Sequence, residues 1–494
     1  MRLWFARHWF ERKIFLTVWM VYAVFALPAG GTLPNRYLDL IHSIVNERRL
    51  EIDTYHENTD DKAFYNGHYY NGALPGPALV GVPAYVVFKG VYLFVPQSIK
   101  QLAGGIQSFK KSDLADSSFY GQVDNVEFFL SHWFLTITVI ASISALGAVF
   151  LFNSIRRLTY QTNVAVVLAL LYAFSTNVFF YATGYFHHNL SATLGIAAFY
   201  LLLAARQQSD GQFLRRAAFG AGVISGLGFL IEYATILTGV WLGVWLFLAI
   251  AKRAIGYYVL GFVPPLLILA LHNWLAFDDP LTTSYRYLAV NSRFHTGGVF
   301  GLTYPRMESL VGLVVGDKSG LFVFAPLAVI GIIGIAYQIL KRKNEQTLAL
   351  VCGAIIASYL AFYASYSVWD GGSVFGPRFL IPILPFVFLG VAFATEFVPK
   401  WVIGAAAIIG LVFNWLGAQY GYTESLWNHF TKLFSQGPTL PVFGAILSHS
   451  TSRTSSLYVF ANSFHGVITI GVSLLLILFI VWWWRELWMP KRLQ

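Results

Sequence analysis

Apolar positions in this chain neither alternate nor recur every third or fourth place. They run on for about twenty residues at a time, the length a helix needs to cross a hydrocarbon core of about 30 Å. Continuous runs predict helices rather than barrel strands, whose residues would alternate in and out. Twelve spans are predicted, at 14–30, 127–152, 162–182, 189–205, 217–234, 235–251, 254–275, 320–340, 347–367, 379–398, 401–418 and 463–484. A thirteenth apolar stretch, 78–97, holds Pro83 and Pro96 and follows Pro75 and Pro77. Those prolines are expected to break it up, so it is read as a re-entrant or interfacial helix on the outer side. Composition agrees: 57% of the residues are hydrophobic, 11% are charged and mean hydropathy is +0.61. Soluble chains carry roughly 25% charged residues, so a soluble enzyme, a disordered chain and a secreted disulfide scaffold are all excluded. Cys352, the single cysteine, lies inside an apolar run, which rules out an internal disulfide and a thiolate cluster.

The net charge of +10 has a location. With the N-terminus in the cytoplasm, eighteen of the 33 basic residues fall on inner segments, accompanied only by Glu11, Asp210, Glu345 and Glu486. The inner side is then +14 and everything else −4, as the positive-inside rule requires. The basic excess is therefore a topology signal, and no nucleic-acid partner is implied. Making 78–97 a span would leave Arg156 and Arg157 outside, a second reason to keep it interfacial. The first apolar segment is read as an uncleaved anchor rather than a signal peptide. The expectation is a single transmembrane domain over 1–494 in a bacterial inner membrane, with large periplasmic loops at 31–126, 276–319 and 419–462.

The polar chemistry collects in the outer segments. The first loop holds Asp39, Asp53, Asp60, Asp61, His56 and His68. His187 and His188 open a span, Glu232 and Tyr233 sit in a tight turn, and 369–378 is rich in glycine. Ionisable groups at membrane depth usually mark a path or a site. A transporter or flippase, the alternative class, would place them at mid-span in broken helices, and Glu232 is the nearest case. No phosphate-binding loop, dinucleotide fingerprint, zinc-protease helix or nucleophile elbow is present.

Several of these segments carry a resemblance. Tyr65-Asn66-Gly67-His68-Tyr69-Tyr70 is followed by Ala73-Leu74-Pro75-Gly76-Pro77. Later come Asn273-Trp274-Leu275-Ala276-Phe277-Asp278-Asp279-Pro280, Gly320-Leu321-Phe322-Val323-Phe324-Ala325-Pro326 and the stretch 369–378. In this order they resemble the integral-membrane GT-C glycosyltransferases, the protein mannosyltransferase and aminoarabinose transferase group and a bacterial branch of similar proteins, over most of 14–398. The resemblance implies an all-α GT-C-type fold. It also implies transfer of a sugar, with inversion, from a polyprenyl-phosphate-linked donor to an envelope acceptor (glycan, lipid or protein) at the outer face of the inner membrane. Membrane lipids are implied partners, and the resemblance leaves room for a divalent metal without requiring a cofactor. Two places depart from the pattern. Asn35-Arg36-Tyr37 stands where many relatives carry an acidic residue, and Asn71-Gly72-Ala73-Leu74 replaces a lysine that often precedes the proline pair. The catalytic base is therefore not copied from those positions.

Such a reaction needs a base for the acceptor hydroxyl and cations for the leaving phosphate. Asp53 is the first candidate base, with Asp61 and Asp60 next; helix capping, loop solvation or a pair with Lys62 explains each equally well. Arg378 is the leading phosphate ligand, since its fork suits phosphate; snorkelling at the interface is the other reading. Lys318 and Arg293 follow. His68, Tyr69, Tyr70, His187, His188, Glu232 and Asp370 are candidate sugar or acceptor contacts, with an interfacial aromatic belt as the alternative for the tyrosines. Adjacent helical residues point about 100° apart, so His187 and His188 are not expected to bind one metal together; one of them with Asp53 is the arrangement considered.

Overall fold

The computed structural model describes residues 8–28, 30–103, 125–290, 298–341, 345–372, 374–421, 426–450 and 452–487. The chain is helical almost throughout, and among the described residues the only sheet is a two-stranded hairpin. Seven helices are long and apolar enough to cross a membrane: Val126–Thr159, His188–Arg206, Gly211–Ile231, Lys252–Phe277, Gln346–Ala364, Lys400–Tyr420 and Ser456–Trp483. Each falls on a predicted span. Four shorter apolar helices, Thr162–Phe174, Thr235–Ile250, Leu327–Leu340 and Arg378–Ala394, fall on four more, and Trp9–Val24 falls on the first. Two of the short ones fall short of the end predicted to lie outside: Thr162–Phe174 stops early and Leu327–Leu340 starts late, and the short helices Val178–Ala182 and Leu321–Phe324 stand in the gaps.

Small residues let the helix backbones close on one another. A side chain on Gly331 or Gly334 would meet the carbonyls of Val387 and Gly390, and one on Gly222 or Gly261 would meet those of Tyr258 and Phe219. Leu327–Leu340 thus packs on Leu384–Ala394, and Gly211–Ile231 on Ile255–Phe277.

The described part of the first long segment between spans, 30–103, carries regular structure. Helix Thr32–His42 continues into a π-helical turn, Ser43–Glu47. Strand Lys62–Tyr65 pairs antiparallel with His68–Asn71, and Asn66 and Gly67, both at positive φ, form the two-residue turn between them. Helix Gly76–Tyr92 follows. The prolines do not break it, contrary to the expectation for 78–97. Pro75 and Pro77 sit at its first turn, where no N–H is needed, Pro96 lies beyond its end, and Pro83 is accommodated inside a continuous helix of 17 residues. A second hydrophobic cluster joins this layer to the bundle, with Tyr37, Leu38 and Ile41 packed among Tyr85, Phe88, Phe128 and Tyr185. The last outer loop also holds two short helices, Leu426–Gln436 and Pro441–His449.

Candidate functional site

Two helix ends meet at the centre of the site. His188 opens the helix His188–Arg206, with His187 as its N-cap residue. Glu232 is the extended residue that breaks the chain between Gly211–Ile231 and Thr235–Trp245. Ligand atoms of His187, His188 and Glu232 all lie within 4.8 Å of one another. The expectation that the two histidines diverge is therefore corrected: their rings lie 4.0 Å apart, centroid to centroid. Tyr363 donates its hydroxyl to Glu232 Oε1 at 2.9 Å. Glu232 Oε2 and His188 Nδ1 face one another at 3.5 Å, both buried without a hydrogen-bond partner among the described residues. Buried polar atoms are normally satisfied. Two imidazoles and one carboxylate with open atoms form a donor set that suits a divalent ion such as zinc, so the residues fit a metal. Burial, followed by the neighbouring His188, keeps the His187 imidazole well below its ordinary pKa, and a neutral imidazole is the form that ligates.

Arg378 arrives from the loop before the helix Arg378–Ala394. Gly371 and Gly376, at φ of +78° and +60°, let the chain fold back on itself. A side chain on Gly371 would press on Arg378 Nε, and one on Gly376 would press on the Phe324 ring. Arg378 Nε is buried without a hydrogen-bond partner among the described residues.

The first loop supplies the third part. Arg36 is 8% exposed. It donates from Nη1 to Asp61 Oδ2 at 3.1 Å and from Nη2 to the Tyr37 hydroxyl at 2.8 Å. Tyr37 in turn bonds His187 Nδ1 at 2.9 Å, so Asp61 is linked to the histidines through two side chains. Convergence shows at Tyr285, whose hydroxyl pKa is raised by burial and which also feels Arg36, Asp61, Glu232 and Arg378. Groups from four separate stretches of chain thus lie within electrostatic reach of one phenol.

The other predicted residues lie in different settings. Asp53 holds the hairpin together: its Oδ2 meets His68 Nδ1 at 2.7 Å, and its Oδ1 accepts the Tyr69 backbone N–H at 2.7 Å. The bond to Asp53 raises the pKa of His68. Tyr69 stacks on His56, and Tyr70 packs against Phe277. Asp60 sits beside Asp61 at the base of the same hairpin. Lys318 and Asp370 pair with each other at 2.6 Å. Arg293 lies outside the described residues. Sequence reasoning missed Arg36, Tyr37, Tyr285 and Tyr363 as site members. One signal was available for Arg36: a basic residue just outside the first span runs against the positive-inside trend and needs a local reason. It also passed over Asp39, fully buried with only Asn58 donating to it at 2.9 Å, whose carboxyl burial pushes well above the usual range.

No protein-family model matches the chain, and no curated protein matches it. Among solved structures it is similar to the archaeal oligosaccharyltransferase AglB from Archaeoglobus fulgidus, in complex with an inhibitory peptide and a dolichol-phosphate. That likeness has 12% identity and a TM-score of 0.45, covering 93% of this chain and 56% of the other. It is also similar to ArnT from Cupriavidus metallidurans bound to undecaprenyl phosphate, with 13% identity and a TM-score of 0.48 over 96% of this chain and 77% of that one. The chain thus spans little more than half the length of the archaeal enzyme. At TM-scores this low the likeness alone assigns neither family nor activity.

Proposed function

We propose that this protein is a membrane glycosyltransferase that moves a sugar from a polyprenyl-phosphate carrier to a hydroxyl of an envelope acceptor, at the outer face of a bacterial inner membrane. The observation that carries this reading is the convergence of Arg36 and Arg378 with Asp61 beside the His187–His188–Glu232 cluster. The ordered motifs in the sequence support it independently. Two guanidiniums with buried, unsatisfied Nε atoms suit a phosphate that gains negative charge as it leaves.

The reaction is a single inverting displacement. Asp61 accepts the acceptor's proton, the freed oxygen bonds to the anomeric carbon, and the carbon–phosphate oxygen bond breaks with its electron pair going to the carrier phosphate. Arg378 and Arg36 hold that phosphate. Asp61 takes the base role in preference to Asp53 because Arg36 and Tyr37 link it to His187, whereas Asp53 is tied into the hairpin. His187, His188 and Glu232 would hold a divalent ion, which supplies further positive charge near the phosphate.

A transfer assay tests the reading. Purified protein in lipid vesicles receives radiolabelled polyprenyl-phosphate sugars and an envelope extract. Label passes to an extract component with the wild type, about 10²–10⁴-fold more slowly with Asp61→Asn, and about 10²–10³-fold more slowly with Arg378→Ala. Donor binding without turnover across the sugar panel would favour the transporter or flippase reading.

A further inference from the structure

Helix Leu426–Gln436 belongs neither to the spans nor to the site. Its eleven residues reach about 16 Å, half of a hydrocarbon core of about 30 Å, so it does not cross. Its sequence is sharply two-faced. At 100° per residue, Leu426, Trp427, Phe430, Leu433 and Phe434 fill one arc of about 120°. Asn428, Thr431, Lys432, Ser435 and Gln436 fill the remainder with His429. Protein covers one side of this helix: His429 is buried, bonds the Gly421 carbonyl from Nε2 at 2.9 Å and packs on the Phe375 ring, and the half-buried Phe430 packs on Phe413. The aromatic edge is open, with Trp427 75% exposed and Phe434 85% exposed. Lys400–Tyr420 and Ser456–Trp483, both candidate spans, lie before and after it in the chain, which keeps it near the bilayer.

We propose that Leu426–Gln436 lies flat in the lipid headgroup layer on the site's side of the membrane, with Trp427 and Phe434 dipping into the acyl boundary. Short amphipathic helices settle about 5–10 Å deep in this way, and indole prefers that layer. Lys432 keeps its ammonium among the headgroups. The buried edge gives the placement a structural role. Phe375 fits against Gly417, where a side chain would collide with its ring. Its carbonyl accepts the Tyr181 hydroxyl at 2.9 Å, and Arg378 follows three residues later. The helix is a prop between the lipid surface and the arginine loop.

The single cysteine helps the test, because Cys352 is fully buried and a fluorophore will label an introduced cysteine alone. Phe434→Cys and Asn428→Cys, both at exposed positions, are labelled with bimane in vesicles whose lipids carry bromine either high or low on the acyl chain. Phe434→Cys should be quenched more by the shallow bromine than by the deep one, and Asn428→Cys more by aqueous iodide. Equal iodide quenching at both positions would put the helix in water and overturn the proposal. Stronger quenching of Phe434→Cys by the deep bromine would overturn it too, by placing the helix in the hydrocarbon. Neither readout depends on sugar transfer, so this proposal and the glycosyltransferase reading fail separately.

Discussion

Two sets of charged groups, one in the hairpin and one across the bundle surface, differ in how completely they close. In the hairpin, Asp53 spends one oxygen on His68 and the other on the Tyr69 amide, and Glu51 receives the Tyr70 hydroxyl. Across the bundle surface, Arg36, Arg378, His188 and Glu232 each keep a buried atom without a partner among the described residues. Leaving a buried donor or acceptor open costs about 1–3 kcal/mol. A fold that bears this cost at several neighbouring atoms has positioned them for something other than itself. The hairpin's groups are engaged within the loop; the other set keeps atoms open to a ligand.

The largest effect expected from this contrast lies in transfer activity. Asp53→Asn should leave the rate close to wild type where Asp61→Asn nearly abolishes it, measured in the same vesicles. A reversed order would make the hairpin the site. Arg378→Lys should behave like Arg378→Ala, because one ammonium does not reproduce a two-pronged fork.

Next comes metal. Wild type equilibrated with zinc and desalted should retain it by elemental analysis, and His188→Ala and Glu232→Gln should not. Tyr363→Phe removes the donor to Glu232 Oε1 and should weaken affinity about 10–100-fold, as loss of an outer hydrogen bond does. Unchanged zinc retention in Glu232→Gln would show that the open atoms do not ligate.

A smaller effect separates the hairpin by pH. The pKa of His68 is raised above 6.5 by its hydrogen bond and charge interaction with Asp53. A raised folded-state value means the pair stabilises the hairpin fully below 6.5 and loses that contribution as pH rises through the raised pKa. Limited proteolysis between Tyr65 and His68 should therefore quicken toward alkaline pH, and Asp53→Asn should remove the pH dependence. The smallest effect belongs to Lys318 and Asp370, a partly exposed pair. Their coupling in a double-mutant cycle of thermal stability should be about 0.2–1 kcal/mol.

The spans were readable because hydrophobic length and charge side are one-dimensional properties. Val126–Thr159 and Ser456–Trp483 announce themselves in any window. Arg378, His187, His188 and Glu232 could also be singled out, since glycines, paired histidines and a lone acid near a span are local signals. What connects them was not local. Arg36 reaches Asp61 across 25 residues and Tyr37 reaches His187 across 150, and nothing in the intervening sequence encodes those distances. Helix 76–92 was misjudged because proline was weighed by its presence and not by its position in the turn. The hairpin was overlooked because its strands are four residues each, too short for alternation to show.

The four short helices carry a consequence for the bilayer itself. Thirteen to seventeen residues give about 20–26 Å of helix, several ångströms less than the surrounding lipid. Val240, Leu248 and Ile333 show that two of these helices present apolar side chains on the outside of the bundle. Lipid beside them meets a shorter hydrophobic wall than lipid beside Ser456–Trp483 and must thin to match it. A leaflet thinned along that flank brings its headgroup plane closer to the middle of the bundle there than beside the long helices.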